Sequence, residues 1–252
     1  MKFFRYFFIL IWRIWFYAWL LLSIIPVFPV LLIVTSSEKF YPAFFKIARA
    51  WAKTLLFVMG FKIESEEEEF LKREKSFMFC PNHTSMIDVF VLLAITKNPF
   101  VFVGKIELTK IPIFGFFYKR TCIIVDRSDS KSRNAVFDKA RLRLDDGLDI
   151  CIFPEGLVPS DESVVLSDFK NGAFRLAIEY QIPIVPITMY NCKQLFSYTF
   201  FSGSPGKLRV KIHSIIKTEG LTLKESNSLK KQTFNIIHNE LISDMKQLKI
   251  ST

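Results

Sequence analysis

Short apolar runs alternate with helical patterns through the middle of the chain. Residues 77–80, 100–103, 121–125, 149–153 and 182–188 are apolar runs of the length of buried strands. Between them, residues 132–146 place Val136, Phe137, Ala140 and Leu144 at helical spacing, and Gly147 supplies a stop. Residues 169–180 predict another helix. Alternation of this kind predicts an α/β domain with a central, mostly parallel β-sheet flanked by helices. Residues 208–216 alternate apolar and basic positions, as a further strand. Residues 226–248 close the chain as an amphipathic helix, with Phe234, Ile237, Leu241, Met245 and Leu248 on one face. There is no internal repeat and no low-complexity linker.

The first segment follows a different pattern. Residues 14–34 carry no charge and lie behind Lys2, Arg5 and Arg13, long enough for a membrane-spanning helix. No small-residue cleavage site follows, which argues against a removed signal peptide. Pro26 and Pro29 are expected to break the run at about two-thirds of its length. Trp12, Trp15, Tyr17, Trp19, Tyr41 and Trp51 are rings suited to a membrane–water boundary. A second apolar stretch, residues 40–61, carries Lys46, Arg49 and Lys53 at helical spacing. Either a spanning helix precedes a surface helix, or a helix pair lies in one leaflet. The prolines and the basic second helix favour the leaflet pair. Glu64-Ser65-Glu66-Glu67-Glu68-Glu69 reads as a solvated turn or helix start. It marks the boundary between an N-terminal hydrophobic membrane-anchoring segment, residues 1–62, and an α/β domain, residues 63–252.

Charge sharpens this picture. The formal net charge is +10, and half the residues are apolar, 28 of them Phe. Residues 1–62 hold a net +7, residues 63–206 a net −2 and residues 207–252 a net +5. Basic ends suit an anionic surface, and the apolar run at the first end selects membrane lipids over nucleic acid. Cys80, Cys122, Cys151 and Cys192 form no C-x-x-C pair, so neither a zinc site nor a redox dithiol is expected. Reduced, buried thiols fit a domain facing the cytosol, at the inner membrane if the chain is bacterial. His213 falls in a strand and His238 in the last helix, where both read as structural. G-x-S-x-G, H-E-x-x-H and the phosphate-loop pattern are all missing.

Candidate chemistry gathers after two of the strand signals. Asn82-His83-Thr84-Ser85-Met86-Ile87-Asp88 follows the first, and Pro81 stops that strand. Turns at strand ends are where open sheets hold ligands. Ser85 suits an N-cap for a helix starting at Met86, with Asp88 its third residue. A carboxylate on one imidazole nitrogen would leave the other free to take a proton from a hydroxyl. Alternatively, Asp88 completes a capping box with Ser85, and His83 is a turn residue. Phe153-Pro154-Glu155-Gly156 places a second turn after a buried strand. Glu155 there is either a solvated turn residue or an acceptor of hydrogen bonds from a polyol.

Together these stretches resemble the PlsC-type glycerolipid acyltransferases, the 1-acylglycerol-3-phosphate acyltransferase family. Residues 82–88 are similar to its H-x4-D block. Lys105, then Ile111-Pro112-Ile113-Phe114-Gly115, running to Val125-Asp126-Arg127, resembles its second block. Phe153-Pro154-Glu155-Gly156 and Ile182-Pro183-Ile184-Val185-Pro186 match the third and fourth. The four occur in the family's order across residues 77–190.

The resemblance implies acyl transfer from acyl-CoA or acyl-carrier protein to a glycerol hydroxyl, without a further cofactor or a metal. It implies His83 as general base with Asp88 orienting it. It implies Lys105 and Arg127 on the acceptor phosphate, with Glu155 and Gly156 against the acceptor backbone. The favoured acceptor is lysophosphatidic acid; another lysolipid, glycerol-3-phosphate or an aminolipid would use the same chemistry. A catalytically silent membrane-anchored binding module is the reading from another class. One departure stands out. The family continues its third block as E-G-T-R-S, whereas this chain has Leu157 and Val158 before Pro159-Ser160. Lys170 is the candidate replacement for the missing arginine. The apolar residues 111–118 border the acyl channel, dip into lipid, or are ordinary core.

Overall fold

In a computed structural model of the chain, residues 2–68, 76–159, 161 and 163–250 are described. Three helices come first: α1 (Lys2–Leu22), α2 (Ile24–Val34) and α3 (Tyr41–Val58). Among the described residues, seven strands alternate with further helices after them. They are β1 (Phe61–Glu67), β2 (Met78–Pro81), α4 (Asp88–Ile95), β3 (Phe100–Lys105), α5 (Phe114–Thr121), β4 (Ile123–Val125), α6 (Ser130–Asp145) and β5 (Asp149–Cys151). Next come α7 (Gly172–Glu179), β6 (Ile184–Met189), α8 (Cys192–Leu195), β7 (Gly206–Ile212) and α9 (Ser226–Ile250).

The sheet order is β1-β7-β6-β2-β5-β3-β4. Strands β6, β2, β5, β3 and β4 run parallel, and β7 pairs antiparallel with β6. This is the expected mostly parallel sheet with flanking helices. Every residue of β2, β5 and β6 is buried, as a parallel sheet covered on both faces requires. Asp129 starts α6 by accepting the amides of Lys131 and Ser132 at 3.0 and 3.1 Å.

Contacts divide the chain into two compact units. One comprises Met1–Ser65, Thr84–Pro99 and Asn191–Arg209; the other comprises Glu66–His83, Phe100–Tyr190 and Val210–Thr252. The expected anchor, residues 1–62, therefore belongs to a larger unit. Within it Phe16, Phe45, Ala52, Leu55, Leu56 and Ile87 are almost fully buried.

Three local expectations are corrected. The glutamate-rich stretch is not a turn or helix start, since residues 61–67 form β1; Glu69 lies outside the described residues. β1 is the outermost strand, and an exposed edge takes charged side chains readily, which hides its strand character in the sequence. The apolar run breaks at Ser23, not at its prolines. Pro26 falls in the first turn of α2, where its missing N–H has no intrahelical partner to lose, and Pro29 continues inside that helix. Finally, Ser85 does not cap a helix starting at Met86. The helix begins at Asp88, whose carboxylate serves the amides of the preceding turn.

Among the described residues, one helical segment is long and apolar enough to cross a membrane by length and composition, Phe3–Leu22. It begins well before residue 14, because Arg5 and Arg13 lie within α1 and not ahead of it.

A polar cluster sits in the second unit. Lys211 Nζ lies 3.1 Å from Glu68 and 3.0 Å from Glu240, whose other oxygen accepts the Tyr190 hydroxyl at 2.7 Å. Buried His213 lies between Thr188, at 2.8 Å from its Nε2, and Glu68, at 3.3 Å from its Nδ1. Glu68, His213 and Glu240 converge as metal ligands can, but the Lys211 ammonium already bridges the two carboxylates. Partial burial pulls the Glu68 carboxyl up. The Ser214 amide and Lys211 bonds, with the nearby His213 and Lys211 charges, outweigh this and lower it to about 2. A carboxyl depressed in the fold stabilises above its unfolded value, and that contribution is lost as pH falls through about 2. Glu68→Gln is therefore expected to lower the unfolding temperature at pH 7. It should also flatten the acid loss of stability between about pH 4.5 and 2, followed by circular dichroism.

Candidate active site

The sequence-predicted residues of the second unit converge at the carboxyl ends of four adjacent parallel strands. His83 stands two residues after β2, and Glu155 and Gly156 follow β5. Lys105 ends β3, in register with Val125 at the end of β4, and Arg127 follows two residues later. Open α/β sheets bind ligands outside this edge.

Asn82 fixes the start of the histidine turn. Its side chain is fully buried, donating to the Met189 carbonyl at 3.0 Å and accepting the Met189 amide at 2.7 Å. The His83 amide donates to Glu155 Oε1 at 2.6 Å. The half-buried His83 ring stacks on Phe153, with centroids 4.0 Å apart and planes at 23°. Phe153 in turn lies parallel to Phe102 at 6.1 Å. The stack holds the imidazole plane.

Glu155 has a task that its sequence context does not show. It is 2% exposed, and its second oxygen accepts the Ser167 amide at 2.8 Å. Its carboxylate thus ties the third block to His83, facing inward. Burial pushes its carboxyl above the ordinary range, against the lowering effect of the His83 and Ser167 amides.

Arg127 Nη1 donates to the Gly156 carbonyl, which joins the second block to the third. Gly156 has φ of +83°, and a Cβ there would stand 3.1 Å from Arg127 Nη1, so both backbone and space call for glycine. The Lys170 side chain is exposed, and its amide donates to the Pro154 carbonyl at 2.8 Å, which sets Lys170 beside the same turn. Val158, where the family carries arginine, is half-buried. In residues 111–118, Ile111, Ile113, Phe114 and Phe116 are exposed whereas Gly115, Phe117 and Tyr118 are buried. The stretch is thus part core and part apolar surface.

In the other unit, Asp88 is fully buried at the first position of α4. Its Oδ2 accepts the amides of Thr84 and Ser85 at 2.7 and 2.8 Å. The Ser85 hydroxyl donates to the Phe196 carbonyl. Phe153, Phe102, Asn82 and Ser167 were not singled out from the sequence. Asn82 and Phe153 carried a signal, as the first residues of the histidine stretch and of the F-P-E-G block.

Fold and edge together define an α/β enzyme with a histidine turn at the carboxyl edge of a parallel sheet. The comparisons specify it further. Residues 62–190 match the acyltransferase family, and the chain belongs to that family: it is an acyltransferase. It is 26% identical over 207 residues to the 1-acyl-sn-glycerol-3-phosphate acyltransferase of Borreliella burgdorferi, covering 82% of this chain and 80% of that one. An uncharacterized acyltransferase of Schizosaccharomyces pombe is 28% identical over 197 residues, covering 77% and 71%. The crystal structure of PlsC, the 1-acyl-sn-glycerophosphate acyltransferase of Thermotoga maritima, superposes with a TM-score of 0.74. It covers 98% of both chains at 20% identity, which establishes the shared fold.

Proposed function

We propose that this acyltransferase moves a fatty acyl group from acyl-CoA or acyl-carrier protein to the sn-2 hydroxyl of lysophosphatidic acid, giving phosphatidic acid. His83 takes the hydroxyl proton, and Asp88, five residues on, orients the imidazole. The alkoxide oxygen attacks the thioester carbonyl. The tetrahedral intermediate then expels the thiolate, which receives the proton from His83. Holding both substrates together supplies much of the rate, and no acyl-enzyme forms. Neither a metal nor a further cofactor takes part.

The observation that supports this reading is the convergence of residues from the first three blocks on one sheet edge. His83 meets Glu155, and Arg127 meets Gly156, through direct hydrogen bonds. Relatives that carry the 1-acyl-sn-glycerol-3-phosphate acyltransferase name support the acceptor. The test is an acceptor panel with labelled acyl-CoA. Lysophosphatidic acid should be the best acceptor, and a phosphate-free acceptor that outcompetes it would sink this assignment.

Lys105 and Arg127 hold the acceptor phosphate, with Lys170 in place of the missing arginine. Losing one charged contact is worth about 1.5–3 kcal/mol, so Lys105→Ala and Arg127→Ala should each raise KM for lysophosphatidic acid about tenfold or more. The thioester KM should move little. A comparable, acceptor-specific loss in Lys170→Ala would identify it as the substitute; no change would leave two residues on the phosphate. The other acceptors stay in play through Val158, which removes the family's planar, bidentate phosphate grip.

The protein acts at a membrane, with the catalytic edge facing the cytosol. α1 supports this reading: only 17% of its most apolar window is buried, and Phe3, Phe4, Phe7 and Phe8 are exposed. Substituting both Phe4 and Phe8 by Asp should weaken liposome binding at least about tenfold, given the cost of acidic groups in hydrocarbon. Unchanged flotation would place the anchor elsewhere, such as the basic C-terminal segment.

A further inference from the structure

Arg13 is anomalous in an apolar helix. It sits mid-way along α1, yet it is 2% exposed. Burying a guanidinium is unfavourable unless its donors find acceptors. Here Nη2 donates to the carbonyls of Ser197 at 2.8 Å, Ser202 at 2.9 Å and Thr199 at 3.3 Å. The guanidinium also lies 4.0 Å from the centroid of the Phe196 ring, within cation–π range. Trp12 and Phe16 contact the same ring, at centroid distances of 5.4 and 4.5 Å. One face of α1 therefore closes on residues 196–202.

That segment is bonded to the turn that carries Asp88. The Phe196 carbonyl accepts the Ser85 hydroxyl, and the Ser85 amide donates to Asp88 Oδ2. Burial, followed by the Asp88 charge, raises the thiol of Cys192, at the start of α8, well above the ordinary value. Tyr198 lies between the gripped carbonyls of Ser197 and Thr199. Desolvation and then the Asp88 charge raise its phenol. Tyr198 and Phe201 are more than half exposed, although Phe201 meets the Tyr6 ring of α1 edge to face. Arg13 and the packing of Phe196 add the buried holds on this segment.

We propose that Arg13 is a positioning residue for acyl transfer: by gripping the Ser197, Thr199 and Ser202 carbonyls it holds the Phe196–Tyr198 backbone against Ser85 and Asp88. The first helix then supports the chemistry as well as the attachment to lipid. The proposal rests on Asp88 orienting the base, as set out above.

The test uses the full-length protein in detergent, with acyl-CoA and lysophosphatidic acid varied separately. Arg13→Met keeps the apolar stem and removes the donors. It should lower kcat about ten- to thirtyfold, as expected for a small displacement of a positioned group, with both KM values within about twofold. Arg13→Lys should retain more of the turnover, since an ammonium still offers donors to the carbonyls. If Arg13 acts through Asp88, Arg13→Met combined with Asp88→Asn should be no slower than Asp88→Asn alone. Liposome flotation of Arg13→Met should equal that of the unaltered protein. Unaltered kcat in Arg13→Met, a loss confined to KM, or additive losses in the double variant would overturn the proposal. If Asp88→Asn is slow while Arg13→Met is not, the positioning role alone fails. If Asp88→Asn turns over normally, the orienting role of Asp88 fails with it. Should Arg13→Met not fold, Arg13→Lys carries the same split between kcat and KM.

Discussion

His83→Ala is expected to lower turnover by about two to four orders of magnitude, the range for loss of general-base catalysis. KM values should change much less, because the imidazole acts on a proton and not on the bulk of either substrate. The fold should survive. The turn is held by groups that the substitution leaves in place: the Asn82 clamp on Met189 and the His83 amide on Glu155. The measurement is single-turnover acyl transfer from labelled acyl-CoA. A variant within threefold of the unaltered rate, roughly the limit set by mutational noise, would remove the proposed mechanism.

Glu155→Ala is expected to combine two losses. It strips the acceptor from two backbone amides, those of His83 and Ser167, at a site that is 2% exposed. An orphaned buried donor costs about 1–3 kcal/mol, so unfolding by denaturant should show a clear loss of stability. Turnover should fall about a hundredfold, because a displacement of about 1 Å at a reacting group is enough for that. Glu155→Gln separates the causes. The amide oxygen can still accept one N–H, and the variant buries no charge, so it should recover most of the stability. It cannot satisfy both amides, so turnover should recover only partly. Equal KM increases for the acceptor, with kcat intact in both variants, would instead make Glu155 a substrate contact.

Glu155 also shows where sequence reading stops. Its place in F-P-E-G marked it as a site residue, and the resemblance pointed it towards the acceptor. Which way the carboxylate faces depends on the register of β5 beside β2, which brings the third block next to His83. No local pattern carries that information. Phe153 is the same case. A phenylalanine after a buried strand reads as core, and only the pairing of the strands makes it the platform of the His83 ring.

The N-terminal helices give the complementary lesson. Their apolar, aromatic and basic pattern was legible, but the break point was not. Pro29 is tolerated inside α2, whereas Ser23, whose hydroxyl accepts the Trp51 indole N–H at 2.7 Å, marks the junction. Arg13 read as a flanking charge of a membrane run, because proximity in sequence was all that could be seen. Its acceptors lie more than 180 residues away.

The sequence by itself determined the α/β class, through the alternation of short apolar runs with helical patterns. It also determined the spacing of His83 and Asp88 and the order of the four blocks. Those features are local: each depends on residues within a strand, a turn or a helical face. The tertiary structure decided the rest. It turned a glutamate-rich stretch into an edge strand and gathered Lys105, Arg127, Glu155 and His83 at one sheet edge. It also set Arg13 among distant carbonyls. Those outcomes are non-local, because strand order and long-range hydrogen bonds are chosen by the packing of the whole chain and not by any one segment of it.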